Sequence, residues 1–153
     1  MLSEPETLAL SWEQVDNLVA LMAQRFHEQK HAFAGILCLG GGAVVPGRML
    51  QAYFPDCRLF YQGLYSYRGH QQGRLHTFQE MRPSTLKMLQ GLGDLLLLVD
   101  DIWDTGATFK YGKQLVPKAV ATALVSKDQQ SNLHLVGITV APTVWVKFPW
   151  EKG

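Results

Sequence analysis

The stretch that decides the fold is residues 95–108, with the sequence LLLLVDDIWDTGAT. Its first five residues are apolar, which is long enough for a strand buried on both faces of a sheet. Two carboxylates, Asp100 and Asp101, follow at once, and a helical pattern begins after the small residues that come next. Because α/β sheets bind ligands beyond the carboxyl ends of their strands, we expect a binding site here.

The small residues after the acid pair are suited to an anion. These residues, 105–108, lie just before and at the start of a helix predicted over residues 107–116. The free backbone N–H groups at a helix start favour binding of a phosphate dianion. Asp100 and Asp101 suit sugar hydroxyls or a metal ion. The stretch therefore predicts a site for a phosphorylated sugar, with helix capping by Asp104 or Thr105 as the plain structural alternative.

The composition is that of a globular domain. The chain has 153 residues, 47% of them hydrophobic and 18% charged, with a net charge of +1. These values predict one domain and argue against a nucleic-acid or membrane-surface partner. No apolar run approaches the roughly 18 residues of a membrane span. The acidic N-terminus is unlike a signal peptide, and Cys38 and Cys57 lack metal-ligand spacing, so we expect a cytoplasmic protein with free buried thiols.

The rest of the chain alternates predicted helices and strands. Ser11 and Gln14 form a capping box that opens a helix over residues 12 to about 30, packed on the sheet or on another subunit. Other predicted strands cover residues 33–39, 58–67, 120–125 and 133–140; a predicted helix covers 44–54, with one possible helical turn at 85–89. This order predicts an α/β fold, a single open and mostly parallel sheet flanked by helices.

Two loops are further candidates for the site. Gly40, Gly41 and Gly42 lie between a predicted strand and a predicted helix, where glycine lets the backbone approach an anion. A mere tight turn is the alternative there. The polar residues from 68 to about 80 predict a mobile hairpin or flap, of the kind that closes over a reactive substrate.

Residues 98–108, LVDDIWDTGAT, resemble the phosphoribosyl-pyrophosphate (PRPP) signature of the type I phosphoribosyltransferases. The chain length, the Ser-Trp-Glu helix start, residues 42–47 (GAVVPG) and residues 145–151 (WVKFPWE) are similar to the small prokaryotic purine and xanthine-guanine phosphoribosyltransferases. The resemblance implies the type I phosphoribosyltransferase fold in a single domain, residues 1–153. It also implies a flap at about 68–80 and a base-binding hood at about 127–151.

The resemblance also implies a reaction. The 5-phosphoribosyl group of PRPP would pass to a 6-oxopurine with Mg²⁺, giving a nucleoside monophosphate and pyrophosphate in purine salvage. Asp100 and Asp101 would bind the ribose hydroxyls, Asp101 would help to hold Mg²⁺, and Asp104 would accept the proton near purine N7. The 5′-phosphate would lie on Thr105, Gly106, Ala107 and Thr108.

The remaining roles concern the base and the pyrophosphate. Lys127 would donate to the purine 6-oxo group and Trp145 would stack on the ring, while Ile102 and the backbone near Val146 complete the base site. Pyrophosphate would lie on Gly40, Gly41, Gly42 and Arg74 of the flap. Gly41 stands where the family usually has arginine, so one contact worth roughly 1.5–3 kcal/mol is absent from this loop.

Several alternatives stay open on the sequence. One alternative is a non-catalytic PRPP or nucleotide sensor on the same fold. Another is a phosphoribosyltransferase for a different acceptor base. A phospho-acceptor role for Asp100 fits poorly with the residues that follow it. Members of the family are commonly dimers or tetramers, so we expect a homodimer or homotetramer. The sequence does not rank hypoxanthine, guanine and xanthine.

Overall fold

The computed structural model describes residues 6–66, 75–77 and 80–151. The helices of this part of the chain are α1 (Trp12–Glu28), α2 (Val44–Gln51), α3 (Pro83–Leu92) and α4 (Ala107–Leu115). The strands are β1 (Thr7–Ala9), β2 (Gly35–Leu39), β3 (Arg58–Gln62), β4 (Leu64–Ser66), β5 (Leu75–Thr77), β6 (Leu96–Trp103), β7 (Val120–Ser126), β8 (Leu135–Thr139) and β9 (Trp145–Lys147).

The main sheet has five strands in the order β3-β2-β6-β7-β8, and every neighbouring pair is parallel. The predicted open parallel sheet is confirmed, with β6 at its centre. Since parallel strands end at one edge, the residues that follow β2, β6 and β7 meet there. These are the three glycines, the segment after Trp103, and Lys127.

Helices cover both faces of this sheet. Leu97 and Val99 of β6 pack into the core under α1 and α2. Leu96 and Leu98 pack into a second core under α3 and α4. The alternation shows why the apolar run of β6 must be continuous, since both faces of the strand are buried.

The first helix begins where its capping box predicts. The Ser11 side chain accepts from the Gln14 backbone N–H at 3.1 Å, and the Gln14 side chain accepts from the Ser11 N–H at 2.8 Å. The apolar face of α1 is buried within the core that lies against the sheet. The chain's own core therefore covers this face, and it is not free for another subunit.

Several predicted boundaries are wrong. The single strand predicted over 58–67 breaks at Gly63 into β3 and β4, because β4 leaves the main sheet to pair antiparallel with β5. That pairing is the base of the predicted hairpin, whose residues 67–74, with Arg74, lie outside the described residues. The helical turn predicted at 85–89 is a ten-residue helix, α3.

The other differences lie at element ends and at the sheet edge. The strand predicted at 33–39 is β2, which starts at Gly35, and the helix predicted at 44–54 is α2, which ends at Gln51. The strand predicted to start at residue 95 is β6, which starts at Leu96 and continues past the carboxylates to Trp103. The strand predicted at 133–140 is β8, which is mostly half-buried because it lies at the edge of the sheet.

A short parallel pair, β1 with β9, was not predicted. Its register is Thr7 to Trp145, and the Trp145 N–H donates to the Glu6 carbonyl at 2.8 Å. Three-residue strands carry too little periodicity to be found from sequence. The pairing matters for function, because it holds the C-terminal tail against the rest of the chain.

Both cysteines are free and buried, as predicted. Burial raises the pKa of Cys38 to about 12 and that of Cys57 to about 11, so both thiols stay protonated at neutral pH. Among the described residues, no helix combines the length and apolar character needed to cross a membrane.

Candidate active site

The acid pair lies inside the sheet rather than beyond it. Asp100 is only 9% exposed, and its Oδ1 accepts from the Asp101 backbone N–H at 2.8 Å. Burial raises the pKa of Asp100 well above its usual value, and the adjacent Asp101 carboxylate raises it further. Burial also raises the pKa of Asp101. Two carboxyls in contact repel each other when both are ionised, so this repulsion and the burial of Asp100 favour a proton shared between them.

The shared proton predicts a stability effect. A carboxyl whose pKa is raised on folding stabilises the protein while it is protonated, and that contribution is lost as pH rises through the raised pKa. In Mg²⁺-free buffer, Asp100→Asn should therefore raise Tm by at least about 2 °C at pH 8. The amide oxygen still accepts the hydrogen bond from the Asp101 N–H, and the side chain no longer carries a charge. The gain should shrink towards about pH 4.

The control for this experiment is Asp56→Asn, which changes an exposed carboxylate. Calorimetry of the two variants and the parent at both pH values measures the effect. An Asp100→Asn protein no more stable than the parent at pH 8 would show that the buried pair carries no cost.

The glycine loop lies directly against the acid pair. A Cβ on Gly42 would collide with the Asp101 carboxylate. Gly40 has φ +81°, and its N–H donates to the Gln62 carbonyl at 3.0 Å. Gly41 is exposed, and no atom of residues 6–66, 75–77 or 80–151 lies within 4 Å of a Cβ built on it. The structure thus brings two predicted parts of the site into contact, and Gly41 faces open space.

The small residues after β6 form a tight turn into α4. Gly106 is the N-cap residue, with φ +84° and no side-chain capping bond. Thr105 Oγ1 accepts from the Ala107 N–H at 3.3 Å. Asp104 is exposed and is not the cap residue. Capping therefore does not account for Asp104, whereas Thr105 takes up the first N–H group of α4. The N-cap residue, Gly106, has no side chain to cap the N–H groups that follow.

Trp103 is a residue of this site that sequence reasoning missed. A Cβ on Gly106 would collide with the Trp103 ring, which stacks on Phe109 at 5.3 Å between ring centres. The Trp103 ring therefore packs against the turn at Gly106 and helps to fix its backbone. The signal was a large aromatic residue three positions before a glycine, but only the fold shows that the two touch.

The predicted base-binding residues meet at the same edge. Lys127 Nζ lies 5.8 Å from the centre of the Trp145 ring, over its face. The Lys127 N–H donates to the Trp103 carbonyl at 2.8 Å, which ties the end of β7 to the end of β6. Trp145 is 53% exposed, so one face of a large aromatic ring is open to a ligand.

The tail also returns to the acid pair. Val146 is buried, and Ile102 packs against the same core. Glu151 lies close enough to Asp101 to raise the pKa of that carboxyl. Phe148 is buried and stacks on Trp150. Residues of the C-terminal tail thus lie near the carboxyl edge of β6.

Comparison with known proteins identifies the family. No protein-family model matches the chain. The xanthine-guanine phosphoribosyltransferase of Gluconobacter oxydans is 30% identical over 154 residues, covering 97% of this chain and 89% of that protein. The chain belongs to the xanthine-guanine phosphoribosyltransferase family. It is a phosphoribosyltransferase, and the predicted family is confirmed.

Two further comparisons agree. The xanthine-guanine phosphoribosyltransferase of Nitratidesulfovibrio vulgaris is 26% identical and covers 94% of this chain. The purine phosphoribosyltransferase of Pyrococcus horikoshii shares the fold over 97% of this chain and 95% of its own, with a TM-score of 0.72 and 22% identity. Because this chain matches enzymes along nearly its full length, the comparisons favour an enzyme over the alternative of a non-catalytic sensor.

The chemistry of the acid pair fits a magnesium ion. Carboxylate oxygens are preferred Mg²⁺ ligands, and a cation would relieve the charge that burial makes costly at Asp100 and Asp101. Within the described ranges, no cluster of three His, Cys, Asp or Glu side chains could hold a metal. An ion here would therefore complete its coordination with substrate oxygens and water, as Mg²⁺ commonly does.

Proposed function

We propose that this phosphoribosyltransferase moves the 5-phosphoribosyl group of PRPP to a 6-oxopurine, with Mg²⁺. The observation that supports this best is the carboxyl edge of β6, where a buried acid pair, the N-terminus of α4 and a glycine loop lie together. A sugar that carries a monophosphate and a pyrophosphate needs these three parts. The test is to incubate the protein with PRPP, Mg²⁺ and a purine and to measure the nucleotide and pyrophosphate that form.

The acid pair and the turn would hold the sugar phosphate. Asp100 and Asp101 accept hydrogen bonds from the ribose hydroxyls, and Asp101 also helps to hold Mg²⁺, which supplies charge neutralisation at the pyrophosphate. The backbone and hydroxyls of Thr105, Gly106, Ala107 and Thr108 take the 5′-phosphate at the start of α4. The ribose is thereby fixed at both ends, which is most of what catalysis by positioning requires.

The transfer is a displacement at the anomeric carbon. The bond from that carbon to the pyrophosphate oxygen breaks, and a bond to a purine nitrogen forms through an oxocarbenium-like transition state. Asp104, exposed beside the turn, takes the proton that the purine loses. Pyrophosphate leaves with its electron pair, and the loop of Gly40, Gly41 and Gly42 stabilises it through the N–H groups of Gly41 and Gly42, because the Gly40 N–H donates to the Gln62 carbonyl.

Lys127 and Trp145 would recognise the base. Trp145 offers an exposed ring for stacking, and the Lys127 ammonium beside it donates to the purine 6-oxo group. Ile102 contacts the other face of the purine, and the backbone at Val146 meets its 2-position. An adenine base has an amino group in place of the 6-oxo acceptor, so the lysine selects against it.

Lys127→Ala tests the base site. Loss of a charge-assisted hydrogen bond should raise KM for guanine or hypoxanthine at least about tenfold, while the Kd for PRPP stays unchanged. Lys118→Ala, which removes an exposed lysine, is the control. Steady-state kinetics with calorimetric titration of PRPP separates the two effects. If Lys127→Ala leaves the KM for guanine and hypoxanthine unchanged, Lys127 does not bind the purine, as expected of an enzyme with a different acceptor base.

The pyrophosphate side has less charge than the family pattern supplies. Gly41 replaces an arginine, and we propose that Arg74 of the flap, outside the described residues, provides a cationic contact in its place. A guanidinium is well matched to pyrophosphate because it donates several hydrogen bonds in one plane. Affinity for PRPP then depends on Arg74 as well as on the glycine loop.

Gly41→Arg should restore the absent contact. No atom of the described residues lies within 4 Å of a Cβ at Gly41, so the first atom of the new side chain meets no neighbour there. We expect the KM for PRPP to fall about tenfold. Gly91→Arg adds the same charge at an equally open, exposed position in α3 and should leave KM unchanged. Equal kinetics for both variants would place the pyrophosphate away from this loop.

We further propose that the enzyme is a cytoplasmic homodimer or homotetramer. Two free, buried thiols suit a reducing compartment. Trp12 and Leu21 of α1 are 52% and 40% exposed, which supplies apolar surface for a second subunit beside the face that the core already covers.

A further inference from the structure

Two histidines meet on the side of the molecule where α1 ends. His31 follows α1, and His134 lies immediately before β8. Their Nε2 atoms are 3.3 Å apart, the ring centres are 5.0 Å apart, and the ring planes are inclined by 87°. The two residues are 103 positions apart in the sequence, so the fold alone brings these nitrogens together.

This geometry is that of a pair of metal ligands. Two imidazole nitrogens bound at about 2.0–2.1 Å to a tetrahedral Zn²⁺ are about 3.3 Å apart, and their ring centres are about 5.2 Å apart. Both distances agree with the observed ones. The two Nε2 atoms are also within hydrogen-bond distance of each other, so a bound ion would take the place of the proton between them.

The surrounding side chains hold both rings in place. His31 stacks on Phe33 with ring centres 5.1 Å apart, and His134 stacks on Phe26 at 6.0 Å. Both phenylalanines belong to the buried core. Gln29 Oε1 lies 2.7 Å from His134 Nε2, at hydrogen-bond distance, and this contact also fixes the ring. The pair is thus preorganised, and ordering two free imidazoles costs little on binding.

We propose that His31 and His134 bind a divalent transition ion of the Zn²⁺ class, with water completing the coordination. Imidazole selects such ions over Mg²⁺ and Ca²⁺, which prefer oxygen, so the site differs in metal from the acid pair. Within the part of the chain that the structure describes, no third His, Cys, Asp or Glu joins these two. The site is therefore an accessory, reversible one.

Binding here would connect two parts of the fold. The segment from Lys127 to His134 joins β7 to β8, and it begins with the proposed purine ligand. An ion on His134 and His31 fixes the far end of this segment to the end of α1. The site therefore offers a way to stiffen the connection that carries Lys127, by a route independent of the substrates.

The test uses the whole protein, dialysed against a chelator and then titrated with ZnCl₂ by calorimetry and thermal denaturation. The parent should bind Zn²⁺ and gain in Tm. His31→Gln and His134→Gln, made separately, should each weaken this binding at least about tenfold, as loss of a metal partner does, while keeping the parent circular dichroism spectrum.

His27→Gln is the matched control, because His27 lies on the same helix but its Nε2 contacts the Tyr53 carbonyl instead. It should keep the parent affinity, and the remaining histidines are present in every variant. Equal Zn²⁺ affinity in the parent, His31→Gln and His134→Gln would overturn the proposal. So would an equal loss in His27→Gln.

Discussion

Asp104→Asn should lower kcat about 10²–10⁴-fold while the Kd for PRPP changes less than about twofold. Asparagine has nearly the same shape as aspartate but cannot accept the proton that the purine loses. The capping residue of α4 is Gly106, so the substitution leaves the helix start intact. Pre-steady-state kinetics together with PRPP titration measure the two quantities separately.

Asp16→Asn, which changes an exposed carboxylate on α1, is the control and should keep the parent kcat. A parallel rise in the Kd for PRPP would assign Asp104 to substrate binding. A kcat equal to that of the parent would remove Asp104 from the mechanism.

Gly106→Ala should raise the KM for PRPP at least about tenfold. Alanine at φ +84° pays a left-handed backbone penalty of roughly 1–2 kcal/mol, and its Cβ collides with the Trp103 ring. Either the turn moves or the ring does, and each displaces the N–H groups proposed to hold the 5′-phosphate. Because phosphate binding fixes the ribose, kcat should fall as well.

Gly91→Ala provides the comparison, because Gly91 is exposed within α3 and has open space at Cβ. That change should leave kinetics unaltered and raise Tm slightly, since alanine is the better helix former. Replacing Trp103 by leucine in the Gly106→Ala protein should recover part of the lost affinity. A Gly106→Ala protein with the parent KM would show that the turn does not bind phosphate.

The local patterns predicted the parts of the fold that local physics determines. The capping box at Ser11 and Gln14 located the start of α1, and the apolar run before Asp100 located the central strand. Both are decided by neighbours within a few residues. The turn after β6 was located in the same way, whereas the acid pair was expected beyond the strand and lies within it, because β6 extends to Trp103.

Long-range contacts were beyond sequence reasoning. The pairing of β1 with β9 joins residues more than 130 positions apart, and each strand is too short to show a period. The contact of Trp103 with Gly106 and that of Gly42 with Asp101 depend on side-chain directions that only the packed sheet decides. The break at Gly63 was missed because both halves of that segment are rich in strand formers.

The most direct test of the central proposal is product formation by the purified protein with PRPP, Mg²⁺ and hypoxanthine, guanine, xanthine or adenine. We expect nucleoside monophosphate and pyrophosphate in equal amounts from at least one 6-oxopurine, none without Mg²⁺, and little from adenine. A folded protein that forms no nucleotide from any of the four bases would contradict the account, and a PRPP-dependent rise in Tm without turnover would then indicate a sensor.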